Sequence, residues 1–167
     1  IREAGYVPGQ DVSLALDVAA SEIYHDGYYY IDGKKYDIDS LCDYYKDLVK
    51  KYPIISIEDP VWEGDFEGFK KITDMLGDKI QLVGDDLFVT NIDYLKQGIS
   101  MGAGNAILLK ANQIGTISEM IDTINYAKKY GYKTIISHRS GETDDCFISH
   151  LAVGLDLGQI KTGSMSR

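Results

Sequence analysis

The chain has 167 residues, 44% of them hydrophobic, which suits one soluble domain with a sizeable core. Its 17 basic and 26 acidic residues leave a formal charge of −9, which argues against a broad nucleic-acid footprint and against an anionic membrane surface. That balance suits bound cations, although a merely soluble surface explains it equally well. No apolar run is long enough to span a bilayer, and Ile1-Arg2-Glu3-Ala4-Gly5 has neither the basic flank nor the apolar stretch of a signal peptide.

The start also lacks a Met, so the expectation is a chain cut from something longer. Cys42 and Cys146 are far apart, form no Cys-x-x-Cys pair and fall on predicted helices. They read as reduced thiols of a cytoplasmic protein.

A first strand is predicted from about Val12 to Asp17. A Tyr-rich stretch, Glu22 to Tyr36, follows, and its His25-Asp26-Gly27 and Asp32-Gly33 turns predict a small β excursion. Within it, Tyr28-Tyr29-Tyr30 reads as a half-exposed strand. From there strand and helix alternate. The helix signals are the Leu41/Tyr45/Leu48 stripe, Asp65 through Gly77, Asn91 through Gly102, and Thr116 through Gly131. The last opens on Thr116-Ile117-Ser118-Glu119, a capping box, and closes on a glycine. A further helix is predicted from Asp144 or Asp145 to Gly154.

Six predicted strands each end on a chemically loaded residue: Asp17, Glu58, Asp85, Lys110, His138 and Lys161. An apolar run with a charge at its end is the pattern of a buried parallel strand that delivers a side chain to an active face. A doubly wound sheet would carry a Gly-rich loop after its first strand, and none of these strands has one. A barrel gathers residues from many strand ends at one mouth, as here. The fold class is therefore α/β, a partial TIM-type (β/α)8 barrel with about six of its eight strands present. Two strands, and any helix after Lys161, are expected to lie outside the chain.

Asp17, Glu58 and Asp85 are hard oxygen donors on three strand ends. Carboxylates that converge without neutralisation repel and raise one another's pKa; a divalent cation removes the conflict, and all-oxygen ligation favours Mg²⁺. Helix capping or surface ion pairing remains the alternative for any one of them. Asp59 and Asp86, each next to a proposed ligand, read as loop-capping or supporting residues. Lys110 ends the apolar run Ala106 to Leu109. Burial and a cationic neighbour, Lys161, would lower its pKa and make a neutral amine base available. The structural alternative is a bridge from Lys110 to Asp85 or Asp86. His138-Arg139-Ser140-Gly141 offers an imidazole, a guanidinium, a hydroxyl and backbone N–H groups, which together make an oxyanion or phosphate cradle. His25 and His150 carry no comparable signal. Gly98-Ile99-Ser100-Met101-Gly102 matches a nucleophile elbow, but it ends a helix before a strand, the wrong context.

Five blocks carry a resemblance: Ser56-Ile57-Glu58-Asp59-Pro60, Asp85-Asp86-Leu87-Phe88-Val89-Thr90-Asn91, Leu109-Lys110-Ala111-Asn112-Gln113-Ile114-Gly115-Thr116, Ser137-His138-Arg139-Ser140-Gly141-Glu142-Thr143 and Ile160-Lys161-Thr162-Gly163. In this order they resemble the enolase family, and the likeness runs from Val12 to Ser166. It implies an enolase C-terminal barrel domain over 1–167, with Mg²⁺ held by Asp17, Glu58 and Asp85 and with Lys110 as the proton acceptor. His138, Arg139 and Ser140 would lie around the substrate, the last two at its phosphate, and Lys161 at its carboxylate.

The implied reaction is the reversible dehydration of 2-phosphoglycerate to phosphoenolpyruvate, in a cytoplasmic homo-oligomer whose relatives are also reported secreted and on cell surfaces. The family's general acid, a Glu, and its second metal-ligating loop match nothing in this chain, so the isolated chain is expected to be inactive. Two other readings are a non-catalytic, surface-binding role and an acid-sugar dehydratase of the wider superfamily; the cationic Ser-His-Arg-Ser block disfavours the latter. An open barrel also exposes sheet edges. Self-association or poor order is therefore expected near Ile1–Gly9 and Thr162–Arg167.

Overall fold

A computed structural model describes residues 1–163. Six parallel strands form one sheet in the order β1 (Leu14–Asp17), β5 (Ile54–Glu58), β6 (Gln81–Gly84), β7 (Ala106–Leu109), β8 (Lys133–Ser137), β9 (Gly158–Lys161). The order never reverses, so the sheet has no switch point, which removes the doubly wound alternative. Between β1 and β5 lies a three-stranded antiparallel excursion, β2 (Tyr24–His25), β3 (Tyr28–Ile31) and β4 (Lys34–Tyr36). Its turns place Asp26, Gly27, Asp32 and Gly33 at positive φ, the twist a tight hairpin needs. Tyr29 is buried and Tyr28 and Tyr30 are exposed, the alternation of a strand with one covered face.

The connecting helices are α1 (Ile38–Lys51), α2 (Phe66–Leu76), α3 (Ile92–Met101), the short α4 (Ala111–Ile114), α5 (Ile117–Lys129) and α6 (Phe147–Gly154). Their starts follow from capping side chains. Asp37, Asp65, Asn91 and Thr116 each accept a backbone N–H from the first turn, a contribution of about 1 kcal/mol apiece. Asp145 does the same for Phe147 at 2.7 Å, which starts α6 at Phe147 and leaves Cys146 exposed just before the helix rather than on it. β1 likewise begins at Leu14, because Val12 is taken by a bridge to Pro8. The brief α4 has no periodic signal in the sequence.

Alternation along the strands divides the interior in two. Ile57, Leu82, Ile107, Leu109 and Ile136 face the helices and join Phe69, Ile72, Leu95 and Ile124 in the main core. Val83, Ala106, Leu108 and Ile135 form a second, smaller cluster on the other face. β7 is accordingly buried at every position, as a strand covered on both faces must be.

The sheet curls until its far strands meet across the concave side. Gln81 on β6 exchanges two side-chain hydrogen bonds with Gln159 on β9, at 2.8 and 3.1 Å. Lys161 on β9 reaches Asp17 on β1, at the opposite end of the sheet. The arrangement is a curled half-barrel, the α/β architecture expected of a partial barrel. Residues 2–4 form a single 3-10 turn, and Val7 N–H donates to Asp11, so Ile1–Gly9 carries local structure. Residues 164–167, where self-association or poor order was also expected, lie outside the described residues.

Candidate functional site

The strand register decides which side chains meet. Parallel pairing aligns Asp17 with Glu58, Glu58 with Val83, and Ser137 with Lys161, all on the concave face. Asp85 and Lys110 lie one residue beyond the ends of β6 and β7. A cleft of about 670 Å³ opens along this face, with Asp17, Glu58 and Lys161 on its wall.

Lys161 is the hub of one half of the site. Its Nζ donates to Asp17 Oδ2 at 2.7 Å and to Glu58 Oε1 at 2.8 Å. Burial pulls the amine's pKa down, but the hydrogen bonds and charges of Asp17 and Glu58 outweigh it and the net shift is upward. Burial pushes the Glu58 carboxyl up; Lys161 opposes this, and the charges of Asp17 and Asp85 add to it. Asp85 is therefore close enough to Glu58 to be felt electrostatically.

Lys110 organises the other half. Its Nζ is hydrogen-bonded to Asp85 Oδ2, and Gln113 Nε2 donates to Asp85 Oδ1 at 3.3 Å. Both partners are largely buried, with side chains 15% and 10% exposed. The bridging role that the sequence left open for Lys110 is thus what the structure displays. Each amine has a carboxylate partner instead of a like-charged neighbour, because a half-buried ammonium needs a counter-charge.

The acidic neighbours are arranged around a tight turn. Asp59, at φ 41°, accepts N–H bonds from Asp85 at 2.8 Å and Asp86 at 2.9 Å. Burial raises its pKa from 3.8 to about 7, against the pull of those two bonds. The loop-capping role expected of Asp59 is therefore met by explicit contacts. Burial also raises Asp86, and the nearby charge of Asp85 adds to that, while Lys110 and Arg139 oppose it. Carboxylate oxygens of Asp59, Asp85 and Asp86 lie within 4.8 Å of one another and can hold a metal ion. Among the described residues this is the closest acidic trio. Asp17 and Glu58, which the sequence grouped with Asp85, are drawn toward Lys161 instead.

The donor set is all carboxylate oxygen, which is the ligand chemistry of hard cations, and lysine ammoniums neutralise Asp17, Glu58 and Asp85 here. A small divalent ion fits that chemistry.

The loop presenting Asp85 is held by one aromatic ring. Phe88 is fully buried, and a Cβ at either Gly84 or Gly98 would lie 2.5 or 2.4 Å from it. Only glycine lets β6 and α3 close on the ring.

His138 follows β8, and its N–H donates to Lys161 O at 2.9 Å, which ties the loop to β9. Arg139 lines a second cleft of about 420 Å³, together with Asn112, Glu142 and Thr143. Glu142 accepts the Arg139 N–H at 3.3 Å. Ser140 is exposed in the same loop but does not line that cleft. Of the expected cradle, Arg139 lines this cleft and Ser140 does not. Ser100 of the rejected elbow donates to Gln97 O, inside α3. Thr90, Gln113 and Asn112 were not singled out by residue type. Their only sequence signal is membership of the blocks around Asp85 and Lys110.

A family model described as "Enolase, C-terminal TIM barrel domain" matches residues 1–167. A curated enolase from Methanopyrus kandleri (strain AV19) is 59% identical over 169 residues, covering 100% of this chain and 40% of that relative. The chain spans about two fifths of the length of the curated relative it matches.

Proposed function

The chain belongs to the enolase family, and on that premise we propose that the protein carrying it interconverts 2-phosphoglycerate and phosphoenolpyruvate, as a Mg²⁺-dependent hydro-lyase of glycolysis. What supports this reading is one meeting of side chains. Asp17 and Glu58 share the amine of Lys161 on the concave face, and Asp85, close enough to act on Glu58 electrostatically, takes the amine of Lys110.

Asp17, Glu58 and Asp85 would hold Mg²⁺, with Asp59 and Asp86 supporting them. When bound, the ion supplies positive charge that offsets the negative charge developing on the substrate carboxylate. Lys110 would take the proton from the carbon between carboxylate and phosphate. Lys161 stays protonated and faces the substrate carboxylate, where its charge favours the transition state over the ground state. Arg139 and Ser140 would bind the phosphate beside His138, the planar guanidinium being suited to paired contacts with phosphoryl oxygens. Hydroxide then leaves with a proton from a general acid, which the resemblance puts outside these 167 residues. Both amines now bond carboxylates proposed as ligands, so they turn to substrate only when those carboxylates gain another cation. The same premise makes the protein a cytoplasmic homo-oligomer.

The test is phosphoenolpyruvate formation by the full-length protein, followed by absorbance with and without Mg²⁺. Turnover is expected with the ion and is expected to vanish in Lys110→Ala. An active Lys110→Ala variant would remove the base assignment.

A further inference from the structure

We infer that Thr90 and Gln113 are positioning residues that clamp the Lys110–Asp85 pair, an inference that rests on Lys110 being the proton acceptor proposed above. Thr90 is fully buried, and its backbone is unusual. It has φ 58°, and Val89 before it has φ 42°. Two successive β-branched residues in the left-handed region are sterically costly and persist only where surrounding bonds over-determine them.

Those bonds form a closed circuit through the site. The Thr90 hydroxyl accepts the backbone N–H of Lys110 at 2.9 Å and donates to Gln113 Oε1 at 2.7 Å. Gln113 Nε2 donates to Asp85 Oδ1, and Asp85 Oδ2 takes the Lys110 amine, which closes the ring. The Thr90 carbonyl accepts the Thr123 hydroxyl at 3.1 Å, anchoring the circuit to α5. Both ends of Lys110, backbone and amine, are thus in one network.

The directions of these bonds give each member a task. A glutamine amide has one acceptor end and one donor end. Because Thr90 donates to the Gln113 oxygen, the NH₂ group must face Asp85. Without the hydroxyl the amide is free to turn and offer its oxygen to a carboxylate, which repels it. The Lys110 N–H would also lose its acceptor inside a buried turn. Neither residue lines either cleft described above, so the effect falls on alignment of the amine and not on substrate contact.

The experiment uses full-length protein with Thr90→Val, which keeps shape and branching, Thr90→Ser, which keeps the hydroxyl, and Gln113→Leu. With Mg²⁺ saturating, Thr90→Val and Gln113→Leu are expected to lower kcat by about 10–100-fold, the range for loss of a residue that orients a ligating or reacting group. KM for 2-phosphoglycerate should stay within about twofold, and Thr90→Ser should recover most of kcat. In parallel, metal-free protein is treated with trinitrobenzenesulfonate, and Lys110 labelling is followed by peptide mass spectrometry. Loss of the clamp should label Lys110 several-fold faster in both hydroxyl- and amide-deleted variants, at a temperature where circular dichroism shows each variant still folded.

If wild type forms no phosphoenolpyruvate, the functional reading fails, while the labelling still tests the clamp. Unchanged labelling, a loss confined to KM, or Thr90→Ser as impaired as Thr90→Val would each overturn it.

Discussion

Replacing Gly98 with alanine should destabilise this protein, although a glycine-to-alanine change inside a helix ordinarily does the reverse. Gly98 is buried in α3, between Asn91 and Gly102, and intrinsic propensity alone favours alanine there by about 1 kcal/mol. The added methyl would sit 2.4 Å from Phe88 Cε1 and 2.8 Å from Cζ, more than 1 Å inside ordinary contact. The ring cannot retreat, because its other side lies against Gly84. Overpacking of a closed core costs about 1–3 kcal/mol, and a clash this deep belongs at the upper end. The net expectation is a loss of roughly 1–2 kcal/mol once the propensity gain is set against it. Gly154→Ala is the control: the same chemistry at the end of α6, with nothing within 4 Å, should be neutral or slightly stabilising. Urea midpoints of the two variants decide the matter. A Gly98→Ala protein as stable as wild type would mean that Phe88 is not the wedge described above. Phe88 also sits three residues after Asp85, so the same variant should lose activity at temperatures where it remains folded.

Two further outcomes concern the charges. The Asp59 carboxyl is raised from 3.8 to about 7 by burial, so its protonated form favours the folded state. That stability is fully present below pH 4 and is lost as pH climbs through about 7. Asp59→Asn removes the slope, and between pH 5 and 8 its urea midpoint should gain on wild type by the equivalent of about 2–3 kcal/mol; parallel curves would contradict the raised pKa. Lys161→Met strips the ammonium from Asp17 and Glu58 and leaves Glu58 charged and nearly enclosed. Since Lys161 and Asp17 are both partly exposed, the cost at pH 8 should be about 1–2 kcal/mol and not the larger loss seen for fully buried pairs. Adding Glu58→Gln should recover part of it, and a double variant no more stable than the single one would argue against that pairing.

The strand-and-helix order was legible because each element carries its own punctuation. Asp65, Asn91 and Thr116 cap helices where their side chains dictate, and the six charged strand ends mark one mouth of the sheet. Asp17, Glu58, Asp85, Lys110 and Lys161 could be grouped beforehand because a charge after a buried strand has few structural excuses. The pairing among them could not. Whether Lys161 bonds Asp17, Glu58 or Asp85 depends on how far the sheet curls, a sum of small twists that no local pattern encodes. Thr90 and Gln113 escaped notice for a related reason. A threonine in a turn and a glutamine on a four-residue helix look ordinary until the left-handed backbone at Val89 and Thr90 turns the hydroxyl toward Lys110.

The charges of the site also bear on how it would work. Among the described residues, Asp17, Glu58, Asp59, Asp85 and Asp86 are set against Lys110, Lys161 and Arg139, an excess of acid at neutral pH that Asp59, raised to about 7, only partly relieves. An anionic phosphoglycerate approaching that mouth alone would be repelled. The proposed reaction therefore requires cation and substrate together: the carboxylates engage the ion, and the two lysines are released toward the anion. On this argument Mg²⁺ and substrate should bind with positive coupling, each strengthening the other by the same factor. Isothermal titration of 2-phosphoglycerate into full-length protein, at low and at saturating Mg²⁺, measures that factor directly. Equal affinities at the two ion concentrations would mean that the lysines are not held back by Asp17, Glu58 and Asp85.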